Sequence, residues 1–227
     1  MGSEMCIRDR PRAVTIPAVK RAVLIDALGT MLWLQPPWEH ADPVAFAGLE
    51  PERVQAGFVA EMTYYMAHTD EGRDPEALAE LRGRCARVLS DEVGREISVA
   101  TMMQAIRFQP FPETAQALRA LRGAGLKLIC VSNWDCSLPE VLERLGLAAA
   151  LDGVVTSASS GSRKPDPAIF GEALALAGCS AAEALHVGDS DDDVAGARAA
   201  GIDVLRIDRA GGGDIASLGE IEEHLRR

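Results

Sequence analysis

The apolar positions of the chain change their spacing twice. Between residues 20 and 34, and again from residue 110 onward, they form short continuous runs separated by helix-period stretches; between 35 and 109 only the helical period is present. The first run, Ala22-Val-Leu-Ile25, ends at a carboxylate, Asp26, and Gly29-Thr30 then turns the chain away. A short apolar run closed by a turn signal predicts a strand buried on both faces. Asp26 is thereby expected at the carboxyl edge of a central strand, where an open parallel sheet keeps its ligand crevice. Further strands are expected at Leu126–Val131, Gly153–Thr156, Ala184–Val187 and Ile202–Ile207. Helices are expected at Pro112–Arg122, from Ser137 to Gly146, and at Pro167–Ala177, Asp191–Ala200 and 214–226. Strand alternating with helix predicts an α/β fold with a parallel sheet and right-handed crossovers. Ser137-x-x-Glu140 has the pattern of a capping box, and the small residues Ser157–Ser162 read as a loop.

The middle segment differs. Pro36-Pro37 breaks the chain, and residues 35–109 then read as helices at Pro51–Thr69, Pro75–Val93 and Ser98–Arg107, with no strand pattern. Asp74-Pro75 is a cap followed by proline in the first turn. Leu78, Leu81, Cys85, Val88 and Leu89 keep one helical face, with Arg82, Arg84 and Arg87 around it. The segment is expected to be an all-helical insert, leaving 20–34 and 110–227 as the core. Residues 1–19 have neither periodicity nor the apolar stretch of a secretion signal, and read as a disordered or non-native leader.

Length and composition narrow the classes. A chain of 227 residues accommodates one core with a smaller inserted domain. Hydrophobic content of 48% and charged content of 25% are those of an ordinary globular protein. The formal net charge of −11 argues against nucleic acid or an anionic membrane surface as a partner. A small anionic substrate is still compatible, since a metal ion reverses the local sign. Five cysteines without a C-x-x-C pair suggest reduced thiols in a cytoplasm, packed as core filler. No apolar run approaches the roughly 20 residues of a membrane helix. The sequence gives no oligomeric state.

The candidate chemistry lies at the strand ends. Asp26 ends the first, Ser132 follows the second, Asp189 follows the fourth, and Lys164 precedes the helix before the fourth. A carboxylate nucleophile, a hydroxyl donor, a fixed cation and an acidic metal cluster together suit phosphoryl transfer through an aspartyl-phosphate. Attacking carboxylate and phosphoryl oxygens repel each other, and Mg²⁺ with Lys⁺ neutralises that charge. Asp166, before Pro167, reads as an N-cap. Asp191 and Asp192 complement a helix N-terminus.

Asp26-x-x-x-Thr30, Ser132, Lys164-Pro165 and Gly188-Asp189-x-x-x-Asp193, in this order, resemble the haloacid dehalogenase superfamily over roughly residues 20–210. The helical insert falls where that family's commonest cap lies. The resemblance implies a Rossmann-like core with strand order 5-4-1-2-3. It implies Mg²⁺ held by the Asp26 carboxylate, the Leu28 carbonyl and Asp189, with Asp193 supporting through water or a hydrogen bond. It also implies that Ser132 and Thr30 serve the phosphoryl site and that Lys164 links it to Asp26. Asn133 and Trp134 are then the substrate-binding candidates, and the substrate is a small phosphorylated metabolite.

One position departs from the pattern. Most phosphatases of the superfamily carry an aspartate two residues after the nucleophile, as general acid; here it is Leu28. Such an acid contributes about 10²–10⁴-fold. A phosphatase with a good leaving group, or with an acid from the cap (His40 or His68), fits this departure. A 2-haloacid dehalogenase-like hydrolase also fits, since a halide leaves without a proton, but Asp189 to Asp193 place four carboxylates near Asp26 that require a cation. A phosphonate hydrolase is excluded because the insert has no lysine; the chain has only Lys20, Lys127 and Lys164. A catalytically weakened ligand-binding member is the non-enzyme alternative. Trp33 and Trp38, like Trp134, either line the pocket or pack, and Tyr64 and His68 share a helix face.

Overall fold

The computed structural model describes residues 19–226; the leader expected over 1–19 lies, except for Val19, outside them. The core begins with β1 (Ala22–Ile25) and a short β2 (Leu32–Leu34). Helices α1 (Pro51–His68), α2 (Pro75–Val93) and α3 (Val99–Ala105) follow, then β3 (Phe108–Pro110). The alternating part comprises α4 (Thr114–Gly123), β4 (Lys127–Ser132), α5 (Leu138–Arg144), β5 (Gly153–Thr156) and α6 (Ser157–Ser160). It continues with α7 (Ala168–Ala177), β6 (Ala184–Gly188), α8 (Asp191–Ala199), β7 (Asp203–Arg206) and α9 (Ile221–Leu225).

Five strands form one parallel sheet in the order β5-β4-β1-β6-β7. Counted as core strands alone, this is the expected 5-4-1-2-3 read from the opposite edge; β2 and β3 only shift the labels. Central β1 pairs Ile25 with Cys130 on one side and with Val187 on the other. That register brings the ends of β1, β4 and β6, and hence Asp26, Ser132 and Asp189, to one edge.

Alternate β1 residues face opposite layers, as period-2 geometry requires. Val23 and Ile25 pack with Leu128, Cys130, Leu118, Leu121 and Leu142. Ala22 and Leu24 pack with Ile129, Val131, Ile169, Phe170 and Ala173. Helices α1 to α3 have a separate core of Phe58, Leu81, Leu89, Val93 and Met102. Asp74 caps α2 by accepting from the Ala77 N–H at 2.9 Å, Pro75 opens it, and Gly94 closes it in the left-handed region at φ 69°.

Four local expectations are corrected. Leu32–Leu34 and Phe108–Pro110 form an antiparallel ribbon where the chain leaves and re-enters the core. Each strand has only three residues, too few for periodicity to register. Ser137 makes no capping hydrogen bond; the turn is instead held by Asp135, which accepts the Ser137 N–H at 2.7 Å. Ser157–Ser160 is a helical turn whose N-terminus is capped by Thr156. The last helix shrinks to a 3₁₀ turn at Leu218–Glu220 followed by α9, because Ser217 caps onto Gly219 and restarts the chain there.

Candidate active site

The turn after β1 sets the site. Met31 and Leu32 N–H both donate to the Ala27 carbonyl, and Gly29 N–H donates to Leu32. The Leu28 carbonyl accepts no backbone hydrogen bond among the described residues. Gly29 has φ +84°, and a Cβ there would lie 2.1 Å from Asp189 Oδ2. Only glycine allows this turn to close against the β6 end. Gly188 has the same function toward Asp193, whose Cγ would be 2.2 Å from an added Cβ.

Lys164 Nζ donates to Asp26 Oδ1 at 2.6 Å, to Asp193 Oδ1 at 2.5 Å and to the Val131 carbonyl at 3.1 Å. Ser132 Oγ donates to Asp26 Oδ1 at 2.9 Å. Three carboxylates, Asp26, Asp189 and Asp193, bring oxygens within 4.8 Å of one another around this one ammonium. Burial pushes the Asp26 carboxyl up to about 6, Lys164 opposes this, and Asp193 and Asp189 add to it. Burial likewise raises Asp189, with Asp193 beside it. Burial would raise Asp193 too, but Lys164 and His186 outweigh it and hold that carboxyl low. Burial disfavours the Lys164 ammonium, yet its two carboxylates keep it charged beyond its usual range.

Hydrogen-bond occupancy separates the three acids. Asp193 Oδ1 receives Lys164 and, at 2.8 Å, His186 Nε2, which donates because a carboxylate only accepts. Asp193 Oδ2 receives the Ser190 N–H and hydroxyl at 3.2 and 2.5 Å, a capping box that starts α8. With four donors on two oxygens, Asp193 is filled. Asp26 Oδ2 and the Asp189 carboxylate accept no side-chain hydrogen bond among the described residues, so they and the Leu28 carbonyl are the oxygens left open to a metal ion. A buried acidic cluster with one compensating cation and open oxygens fits a divalent metal.

The other candidates distribute unevenly. The Asn133 amide holds the Lys164 peptide at both ends: Nδ2 donates to its carbonyl at 3.0 Å and Oδ1 accepts its N–H at 2.8 Å. It therefore positions Lys164. Trp134 lines the cavity and tilts against Phe108, with ring centroids 4.9 Å apart. Thr30 is fully buried and absent from the cavity wall, and its Oγ1 has no partner among the described residues. Trp38 packs against the helical core, and Trp33 is not on the cavity wall. His40 and His68 do not line the cavity either; His68 stacks on Tyr64 and bonds its carbonyl. Asp166 caps by accepting the Ala168 N–H. Cys85 and Cys130 are buried, Cys136 and Cys179 partly so, and all four are free thiols.

Sequence reasoning missed three residues. His186 is fully buried between Asp193 and the Phe170 ring; its signal was a histidine inside an apolar strand run. Arg209 lies 3.3 Å over the Phe111 ring and donates to Glu113 at 2.6 Å and to the Thr30 carbonyl at 2.7 Å. It ties the first turn to the chain returning from the helices, and nothing local marks it. Glu61, in α1, is the third.

A cavity of about 780 Å³ lies between the sheet edge and α1 to α3. Its floor includes Asp26, Ser132, Lys164 and Asp189, and its roof includes Glu61, Met62, Tyr65 and Met102. Tyr65 Oη donates to Asp135 at 2.7 Å, and Arg163 bonds the Met66 carbonyl and pairs with Asp70, so helices and core meet across it.

A family model described as haloacid dehalogenase-like hydrolase matches residues 20–201. Haloacid dehalogenase-like hydrolase domain-containing protein 3 of Bos taurus is 50% identical over 92 residues, covering 40% of this chain and 37% of that protein. A plasmid-encoded phosphoglycolate phosphatase of Cupriavidus necator is 43% identical over 112 residues, 48% of each chain. The chain thus spans about half or less of these curated relatives. Among solved structures, L-2-haloacid dehalogenase from Xanthobacter autotrophicus with chloropropionic acid covalently bound superposes with a TM-score of 0.68 at 24% identity, covering 91% of this chain and 98% of that one. That likeness concerns the fold.

Proposed function

Since the chain belongs to the haloacid dehalogenase-like hydrolase family, and is in that sense a hydrolase, we propose that it is a Mg²⁺-dependent phosphatase acting on a small phosphorylated metabolite through an aspartyl-phosphate at Asp26. Residues 20–34 and 110–227 form the catalytic core and residues 35–109 a helical cap over the substrate. The observation that carries this reading is the Asp26–Asp189–Asp193 cluster, in which one lysine bonds two buried carboxylates and a third, half-buried one stands beside them. A metal-free dehalogenase has no use for so much negative charge at its nucleophile. The phosphatase relative in Cupriavidus necator supports the same choice.

Asp26, Asp189 and the Leu28 carbonyl would hold the ion, which supplies charge neutralisation for an incoming phosphoryl group. The Asp26 carboxylate attacks phosphorus. Lys164 and Ser132 fix the carboxylate's orientation and offer donors to the phosphoryl oxygens. Asn133 sets the Lys164 backbone, and Asp193 with His186 anchors its ammonium. The helical roof excludes water from the first step. The free thiols and the acidic balance suit a reducing cytoplasm and a small-molecule substrate, with no nucleic acid. No helix among the described residues is long and apolar enough to cross a membrane.

The test is hydrolysis of p-nitrophenyl phosphate and acetyl phosphate with Mg²⁺ and with EDTA, for the wild type and Asp26→Asn. Turnover that requires both Mg²⁺ and Asp26 is expected. Metal-independent release of halide from 2-haloacids, with both phosphates untouched, would instead establish the dehalogenase reading that Leu28 admits.

A further inference from the structure

Leu28 leaves the leaving group without the usual proton donor, and the cavity contains one candidate in its place. We infer that Glu61, on the roof contributed by α1, is the catalytic acid–base residue for the phosphatase reading above, protonating the leaving oxygen and later activating water.

Glu61 is only 4% exposed although it lines the cavity shared with Asp26. Tyr65 lies about one helical turn further along α1, about 6 Å in rise, and side chains at i and i+4 share a face. The Tyr65–Asp135 hydrogen bond pins that face to the loop three residues after Ser132. Glu61 therefore lies where the α1 face that meets Cys85 of α2 opens onto the cavity. Met62, Met66 and Met102 surround the space with apolar surface.

The alternatives on the same wall are engaged or unsuited. Asp135 accepts from Tyr65 and from the Ser137 N–H. Glu140 and Asp192 are exposed. Tyr65 donates its proton to Asp135, and burial beside that carboxylate raises it well above 10. Burial and the Glu61 carboxylate push the Cys85 thiol up to about 12. Glu61 itself is raised by burial to about 7, with a Cys85 hydrogen bond working the other way. An acid near the working pH is the best compromise between donating and retaking a proton.

The balance closes. Asp26 bonds phosphorus, the bond from phosphorus to the leaving oxygen breaks, and that oxygen takes the Glu61 proton. The products are an alcohol, the aspartyl-phosphate and the Glu61 carboxylate. Water then gives its proton to Glu61 as its oxygen bonds phosphorus. The bond from phosphorus to Asp26 breaks, releasing inorganic phosphate and restoring both side chains.

The experiment compares glycerol 2-phosphate, whose alkoxide needs a proton, with p-nitrophenyl phosphate, whose phenolate does not. For Glu61→Gln with Mg²⁺, kcat/KM on glycerol 2-phosphate is expected to fall about 100-fold or more, the range of a lost general acid. On p-nitrophenyl phosphate kcat/KM should stay within about 3-fold of wild type, as expected when no acid is needed. A burst of p-nitrophenolate should mark a phosphoenzyme that hydrolyses slowly. Leu28→Asp placed in the Glu61→Gln background should restore glycerol 2-phosphate turnover. Should Glu61→Gln fail to fold, Glu61→Asp keeps the carboxyl and should give intermediate turnover. Equal losses on both substrates, or none, would show that Glu61 only braces α1 against α2, and would overturn the assignment. A wild type inert toward both phosphates would sink the phosphatase reading and this inference with it.

Discussion

The Lys164 ammonium lies 2.6 Å from Asp26 Oδ1, with side-chain exposures of 3% and 6%. A buried pair of this kind is weak as a source of net stability but damaging to break, because the surviving charge stays desolvated. Lys164→Met should therefore abolish turnover and destabilise the protein by about 3–5 kcal/mol, the range for a broken buried pair. Urea titration monitored by circular dichroism checks the second effect. A stability change within error would mean that Asp26 and Asp193 simply take up protons.

Gly29 is expected to be intolerant of even a methyl group. Its positive φ and the 2.1 Å approach to Asp189 Oδ2 together exclude Cβ. Gly29→Ala should displace Asp189 and weaken Mg²⁺ binding at least tenfold, about 1.4 kcal/mol. Calorimetric titration of wild type and variant with Mg²⁺ reads this directly.

Magnesium should stabilise the fold through the acidic cluster. At 100 times its dissociation constant a ligand adds about 2.7 kcal/mol. For a chain of this size that corresponds to a rise of roughly 5–10 °C in melting temperature. Asp189→Asn should lose most of the rise, while Asp191→Asn, on an exposed side chain paired with Arg206, should keep it. Equal shifts in both variants would place the ion elsewhere.

Glu61 also leaves a signature in stability. Its carboxyl moves from the usual 4.5 to about 7 on folding. The folded protein then holds a proton that the unfolded chain has released between those values. The destabilisation is absent below about 4.5, grows as pH rises and is complete above about 7. The difference corresponds to about 3 kcal/mol. Glu61→Gln should therefore melt above the wild type at pH 8, and the gap should narrow markedly by pH 5. Parallel melting curves at the two pH values would show that Glu61 is solvated.

The order of strands and helices, and the carboxylates that end them, were legible because these signals are local. Ala22–Ile25 shows its double burial in four consecutive residues, Asp74-Pro75 and Gly94 mark both ends of α2, and each strand-end group stands next to its own strand. The boundaries that failed were decided by partners elsewhere. Leu32–Leu34 becomes a strand only because Phe108–Pro110 returns beside it, and Ser137 loses its cap because Asp135 takes the N–H first. Glu61 was readable in principle, since it continues the buried α1 face of Val54, Gly57 and Phe58.

The sequence by itself determined that Asp26, Ser132 and Asp189 each close an apolar strand run, because that pattern is local to each strand; that these strands are neighbours was implied only by the family resemblance and is decided by their pairing in the sheet. Only the tertiary structure decided what each group is bonded to. Asp193 is filled by Lys164, His186 and Ser190, Asn133 supports the Lys164 backbone, Arg209 reaches back to Thr30, and Glu61 overlooks the site from the inserted helices. Most of these contacts join residues far apart in the chain, and their geometry depends on how the roof is seated on the sheet edge.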